Sequence, residues 1–169
     1  MLVAVLKAID EGLGANGDLV HVLRTLTEVI DDNCGGTLGA IFSIFLAALT
    51  AEVRREASSS SSSKPTVDLA FWGNTTTAAL ETLFQSTAAR VGHRTVMDSL
   101  IPFCESLKTA STFAEAVEAC KKGGEGTKKL VAKLGRATYV GEKEGGLPPD
   151  PGAMSLVALT KGMSKVVKT

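Results

Sequence analysis

Residues 36–53 read GTLGAIFSIFLAALTAEV. Leu38, Ile41, Phe42, Phe45, Leu46, Leu49 and Val53 recur there at the spacing of one helix face. That face is too wide and too apolar to be left in water, so the segment calls for other helices around it. The same period appears on either side. Leu2, Leu6, Ile9 and Leu13 fall on one face before the Gly12–Gly14 break. Asp18 stands where a cap belongs, ahead of a stripe of Leu19, Val22, Leu23, Leu26 and Ile30. Downstream, Asp68 precedes Leu69, Trp72, Ala79, Leu80, Leu83 and Phe84. A fifth helix carries Met97, Leu100, Ile101, Cys104 and Leu107, with Pro102 predicting a kink or an early break. Thr112 and Glu115 form a capping box for a sixth, with Phe113, Ala116, Val117 and Cys120. Asp150 caps a seventh, with Pro151 at its first position and Leu156, Val157, Leu159, Thr160, Met163, Val166 and Val167 following. No stretch alternates with the period of a strand. The expectation is an all-α, antiparallel up-and-down bundle of about seven helices.

Composition sets the limits. The chain has 169 residues, enough for a single domain with a core. Hydrophobic residues make up 44% and charged residues 21%, an ordinary globular balance. Eighteen basic and eighteen acidic residues cancel, so no global field favours nucleic acid or an acidic membrane. No run reads as long enough to span a bilayer, and residues 1–6 lack the basic region and cleavage site of a signal peptide. The three cysteines, Cys34, Cys104 and Cys120, are far apart and sit among apolar helical neighbours. They read as core residues of a cytoplasmic protein rather than disulfides or metal ligands. Residues 57–65, with the serine run 58–63, read as a flexible surface loop; a phosphorylated regulatory loop is the other reading.

Three motifs can carry chemistry. Glycines in Gly35-Gly36-Thr37-Leu38-Gly39 leave backbone N–H groups open at a helix start, where the helix dipole favours an anion. The motif is either a phosphate cradle or a plain interhelical turn. Arg136, between Gly135 and Gly141 in a long loop, is either a phosphate partner or a solvent-facing arginine beside Lys128, Lys129 and Lys133. Asp150 is explained as a cap, whereas Gly152 in the first turn suggests that something approaches the backbone there. His21 and His93 lack partners at catalytic spacing. Asp31 and Asp32 end a helix against its dipole, and an adjacent pair alone is weak evidence of a metal.

In this order the motifs resemble a known family. Val29-Ile30-Asp31-Asp32-Asn33, Gly35-Gly36-Thr37, Gly92-x-Arg94-Thr95-x-x-Asp98, Gly135-Arg136-Ala137-x-Tyr139-x-Gly141 and Asp150-Pro151-Gly152-Ala153 look like the nucleotide-binding (L) domain of dihydroxyacetone kinases, closest to the ATP-dependent eukaryotic type. The likeness covers essentially all of the chain outside the serine run.

The resemblance implies a barrel of eight antiparallel helices with ATP or ADP at one end. Gly35, Gly36, Thr37, Leu38 and Gly39 would lie at the phosphates, Thr87 and Val96 would line the nucleotide, and Arg136 would act on the phosphates as the catalytic arginine. Asp150, Pro151 and Gly152 would close the site. Leu38 stands where the family usually has a small hydroxyl residue, so contact there would be through the backbone. Val96 stands where methionine is common. The family's acidic loop, Gly-Asp-Gly-Asp-x-Gly, holds Mg2+ through its carboxylates and has no counterpart here. On the resemblance, Met1 falls about where the second family helix starts, so no metal ligands are expected in this chain. The implied partner is the substrate-binding (K) domain, with a homodimer in the full-length enzyme. The implied activity is phosphoryl transfer from ATP to dihydroxyacetone, with this chain alone inactive. The alternative is a non-catalytic relative that serves as a binding module for a K domain.

Overall fold

The computed structural model describes residues 2–59, 66–134, 138–139 and 147–167. Among them the regular elements are seven α-helices and a short 3-10 turn, with no strand. The helices are α1 (Leu2–Asp10), α2 (Leu19–Asn33), α3 (Gly36–Ser59), α4 (Leu69–Phe84), α5 (Met97–Thr109), α6 (Phe113–Gly126) and α7 (Pro151–Ser164). The 3-10 turn, Thr127–Lys129, follows α6. The all-α expectation holds, and so does the helix count.

The chain forms two compact units. One comprises Met1–Val67 with Ala78–Ser86, the other Asp68–Thr77 with Thr87–Thr169. In the first, α2 packs along α3 and α1 packs on α2. Asp18 caps α2 by accepting from the His21 N–H at 2.9 Å. Ile41, Phe45, Leu49 and Val53, each four residues on, form the buried stripe of α3, and Leu23 and Ile30 are buried on α2. Two features stand out here. Leu6 and Ile9 stay about half exposed, at 51% and 52%, so the apolar face of α1 is not covered within this unit. And α3 is long and apolar enough to cross a membrane by length and composition, although the sequence reading found no such run. Its buried stripe on α2 is also what a core helix shows.

Helix α3 continues into the serine run as far as Ser59. Ser58 donates to the Arg54 carbonyl at 2.9 Å, so its hydroxyl bonds back along the helix rather than ending it. The expected loop therefore starts later than residue 57, and its remainder, 60–65, lies outside the described residues.

In the second unit α5, α6 and α7 pack pairwise against one another. Their buried faces include Met97, Leu100, Ile101, Cys104 and Leu107, then Phe113, Ala116, Val117 and Cys120, then Ala153, Leu156, Val157 and Thr160. Phe103 and Phe113 meet edge to face with ring centroids 6.0 Å apart. Of the apolar face expected on α7, Leu159 and Met163 are exposed, and Val166 and Val167 are exposed beyond its end. The side covered by α5 and α6 is narrower than the sequence stripe.

Pro102 does not end α5, which runs through it to Thr109. Proline removes the N–H that would bond the carbonyl four residues back, that of Asp98. Helix α6 sets Gly123 against that carbonyl, so closely that a Cβ there would overlap its oxygen and lie 2.9 Å from its carbon. The neighbouring Gly124 is also close-packed, its would-be Cβ 2.7 Å from Ser99 Oγ and 2.8 Å from a Val157 methyl. The surface freed by the proline is filled by a helix that carries no side chain at the contact.

Capping follows the sequence closely. Asp68 accepts from the Phe71 N–H at 2.8 Å. Thr112 caps α6 by accepting from the Glu115 N–H at 3.4 Å. The Glu115 carboxylate reaches back to the Ser111 N–H, one residue earlier than a regular capping box, at 3.2 Å.

Candidate functional site

The Gly-rich turn belongs to the first unit. Cys34 ends α2 in an extended conformation, its N–H on the Ile30 carbonyl at 2.8 Å. Gly36 then takes φ +75°, a conformation that side chains resist, and starts α3. Gly39 backs onto the Cys34 carbonyl so closely that any Cβ would collide with it. By contrast, the spaces where a Cβ of Gly35 or Gly36 would stand are open. Thr37 is exposed, Leu38 half-buried and Gly39 buried. No acidic side chain occupies the first turn of α3. The result is an uncrowded helix start whose unused N–H groups and dipole suit an anion.

Thr87, Val96, Asp150, Pro151 and Gly152 belong to the second unit. Thr87 is half-buried; its hydroxyl accepts from the Ala89 N–H at 3.1 Å and its carbonyl from Arg90 at 2.8 Å. Val96 is buried at the head of α5. Asp150 caps α7 by accepting from the Ala153 N–H at 2.9 Å. Its own N–H donates to the Thr127 hydroxyl at 2.7 Å, and that hydroxyl donates to the Gly124 carbonyl. Ser99 ties the same end down by donating to the Ala153 carbonyl at 3.2 Å. Pro151 is exposed and Gly152 half-buried. Arg136 lies outside the described residues.

The turn before α5 contains residues that the motif reading quoted but gave no role. Asp98 is buried, and its two carboxylate oxygens accept from the Gly92 N–H at 2.6 Å and the Thr95 N–H at 2.8 Å. Between them Arg94 sits at φ 59°, a left-handed conformation that costs a non-glycine residue on the order of 1–3 kcal/mol. Arg94 is only 6% exposed, and its Nη2 donates to the Pro148 carbonyl at 2.7 Å, two residues ahead of the α7 cap. The sequence signal for this arrangement was the Gly92-x-Arg94-Thr95-x-x-Asp98 spacing, which places an acid one turn after an arginine but says nothing of burial.

Other candidates recede. His21 is exposed, and His93 Nδ1 accepts from the Arg90 N–H at 3.3 Å. Burial pushes the Cys104 thiol up to about 12, against a hydrogen bond with Thr76 that pulls it down, and burial raises Cys120 as well. Both are therefore protonated thiols at neutral pH and poor nucleophiles. Cys34 is only half-buried, so it is not the core residue the sequence suggested. A polar recess of about 370 Å³ lined by Asn16, Asp18, Val20, His21 and Arg24 includes none of the expected nucleotide residues.

For magnesium the donor set does not fit. Among the described residues no group of three or more His, Cys, Asp or Glu side chains could hold a metal ion. Asp31 and Asp32 face solvent, and the Asp98 and Asp150 carboxylates are used on backbone amides.

A family model described as the DAK2 domain matches residues 2–165. The chain belongs to the DAK2 domain family. It is 39% identical over 168 residues to a dihydroxyacetone kinase of Komagataella pastoris, covering 95% of this chain and 27% of that protein. Dihydroxyacetone kinase 2 of Saccharomyces cerevisiae is 37% identical over 147 residues, covering 83% of this chain and 24% of the relative. Triokinase/FMN cyclase of Rattus norvegicus is 27% identical over 157 residues, covering 88% and 25%. This DAK2 domain thus spans about a quarter of the length of the curated relatives it matches.

Proposed function

We propose that this DAK2 domain is the nucleotide-binding part of an ATP-dependent phosphotransferase that phosphorylates dihydroxyacetone, working with a substrate-binding K domain in the cytosol. The observation that carries the reading is the helix start at Gly36, open in front of its backbone and free of acidic side chains. The names of the relatives supply the reaction class. Backbone N–H groups at Gly36, Thr37 and Leu38 receive phosphate oxygens, Thr37 adds a hydroxyl, and Leu38 contributes through its backbone alone. Arg136 neutralises charge on the transferred group. Phosphoryl transfer asks a protein mainly for positioning and charge neutralisation, and these residues supply both.

Magnesium neutralises charge on the nucleotide phosphates in such reactions, and the donors for it are not among the described residues. The second reading is a domain that binds a K domain without catalysing transfer. Calorimetry with ADP tests the nucleotide reading: binding by the 169-residue chain supports it, and absence of binding at millimolar ADP overturns it. Addition of K domain, dihydroxyacetone and Mg·ATP separates the two readings. The expected result is no turnover by this chain; robust turnover would refute the view that the metal ligands are lacking.

A further inference from the structure

The loop between α1 and α2 carries a reactive pair that the fold leaves open. It reads Gly14-Ala15-Asn16-Gly17-Asp18, and Asn16, Gly17 and Asp18 are all exposed. Gly14 and Gly17 take φ +88° and +70°, a region that glycine enters freely. Asn16 Oδ1 accepts from the Asp18 N–H at 3.0 Å. That bond closes an Asx turn, a ring running from Asn16 Cγ through the Gly17 peptide to the Asp18 nitrogen. The side-chain amide is thereby folded back over the Gly17 nitrogen. Gly17 brings no side chain to keep the two apart, and the place its Cβ would take is clear of other atoms out to 4 Å. The Gly17 N–H donates to the Gly14 carbonyl at 3.0 Å, a bond in an exposed turn of the kind that opens readily. Asn16 also lines the polar recess with Asp18, His21 and Arg24, so water reaches its amide.

The other two asparagines of the chain are held differently. Asn33 ends α2, where its Nδ2 donates to the Val29 carbonyl at 2.9 Å and the following Cys34 N–H is bonded to the Ile30 carbonyl at 2.8 Å. Asn74 lies inside α4 and is followed by Thr75. Both therefore have a helical backbone around the next peptide nitrogen and a side chain on the next residue.

We propose that Asn16 is a self-modifying site, converted through a cyclic imide by the backbone nitrogen of Gly17. That nitrogen gives its proton to solvent and attacks Asn16 Cγ. The Cγ–N bond forms, the Cγ–Nδ2 bond breaks, and the amide leaves as ammonia after taking a proton from water. Water then opens the ring. Attack at Cγ yields aspartate; attack at the backbone carbonyl carbon yields isoaspartate, in which the main chain runs through Cγ. Water is the only co-reactant. Either product places a new negative charge two residues ahead of the Asp18 cap of α2. Isoaspartate also lengthens the backbone by a methylene and moves the acceptor away from the Asp18 N–H, which loosens the entry to α2.

The test is to age the 169-residue chain in buffer and follow each asparagine by peptide mass spectrometry, with isoaspartate counted by enzymatic methylation of its free carboxyl. Expected is conversion at Asn16 at least about tenfold faster than at Asn33 or Asn74, with isoaspartate among the products. Conversion that does not favour Asn16 overturns the proposal. So does aspartate formed without isoaspartate, since direct hydrolysis of the amide needs no ring. In Gly17→Ala the methyl crowds the attack, and the rate should fall about tenfold; an unchanged rate in the folded variant removes the Gly17 nitrogen as the attacking group. Should alanine at that φ unfold the loop, the wild type decides by comparison with the same chain aged in urea. A native rate within about threefold of the unfolded one supports an amide presented by the turn, and a native rate more than about tenfold slower overturns it.

Discussion

Replacing glycine by alanine should have opposite signs at two positions of the second unit, one packed and one exposed. In Gly123→Ala the new methyl would overlap the Asp98 carbonyl oxygen, lie 2.9 Å from its carbon and 3.4 Å from Pro102 Cγ. Two of these three contacts are with helix backbone, which cannot swing aside as a side-chain tip can, so α5 and α6 must separate. The Phe103–Phe113 contact and the buried Ala116, Val117 and Cys120 face lie on the same interface and loosen with it. Overpacking of this kind costs about 3 kcal/mol, or roughly 6–12 °C in melting temperature for a chain of this size. In Gly162→Ala the methyl meets nothing within 4 Å on an exposed turn of α7. There the only change is the loss of glycine's conformational freedom, and the expected gain is about 0.5–1 kcal/mol, a rise of roughly 1–4 °C. Thermal unfolding followed by circular dichroism measures both. A Gly123→Ala protein that melts within 2 °C of wild type would refute the claim that backbone-to-backbone contact at Pro102 holds α5 on α6.

Other expectations can be checked on the same protein. Asp98→Ala leaves the Gly92 and Thr95 amides without their acceptors and should cost about 2–4 kcal/mol, read as a lowered urea midpoint at unchanged slope. Brief native alkylation should modify Cys34 and spare Cys104 and Cys120, as mass spectrometry of the intact chain would show; equal labelling of all three would contradict their burial. The raised Cys104 thiol also sets a pH dependence. Its contribution is complete below the unfolded value of 9.0 and is lost as pH rises toward about 12, because the unfolded chain releases the proton first. Wild type should therefore lose stability between pH 9 and 12 faster than Cys104→Ala does.

Local signals in the sequence translated directly into structure. Asp18, Asp68, Thr112 and Asp150 each cap the helix they precede, because a cap depends only on residues a turn apart. The apolar stripe of α3 was equally plain. What could not be read is what depends on a distant partner. Pro102 predicted a kink or an early break, whereas α5 runs through it with Gly123 of α6 set against the Asp98 carbonyl, a contact no local pattern shows. Periodicity marked apolar faces on α1 and at the end of α7 without saying how much of each a neighbour reaches. Thr37, Gly39 and the Asp150–Gly152 start were legible as candidates because open amides follow from glycine, proline and capping chemistry. Arg94 was visible only as a letter in a motif, since its burial arises from the tertiary fold.

The Thr127 hydroxyl both donates to the Gly124 carbonyl and accepts from the Asp150 N–H, so it occupies the last turn of α6 and the cap of α7 at once. Fraying of α6 at its C-terminal end releases the amide that begins α7. Amide hydrogen exchange at Asp150 should then track exchange at the end of α6 rather than that of the segment just upstream of it, making the two helix ends a single opening unit although 23 residues separate the bonded pair.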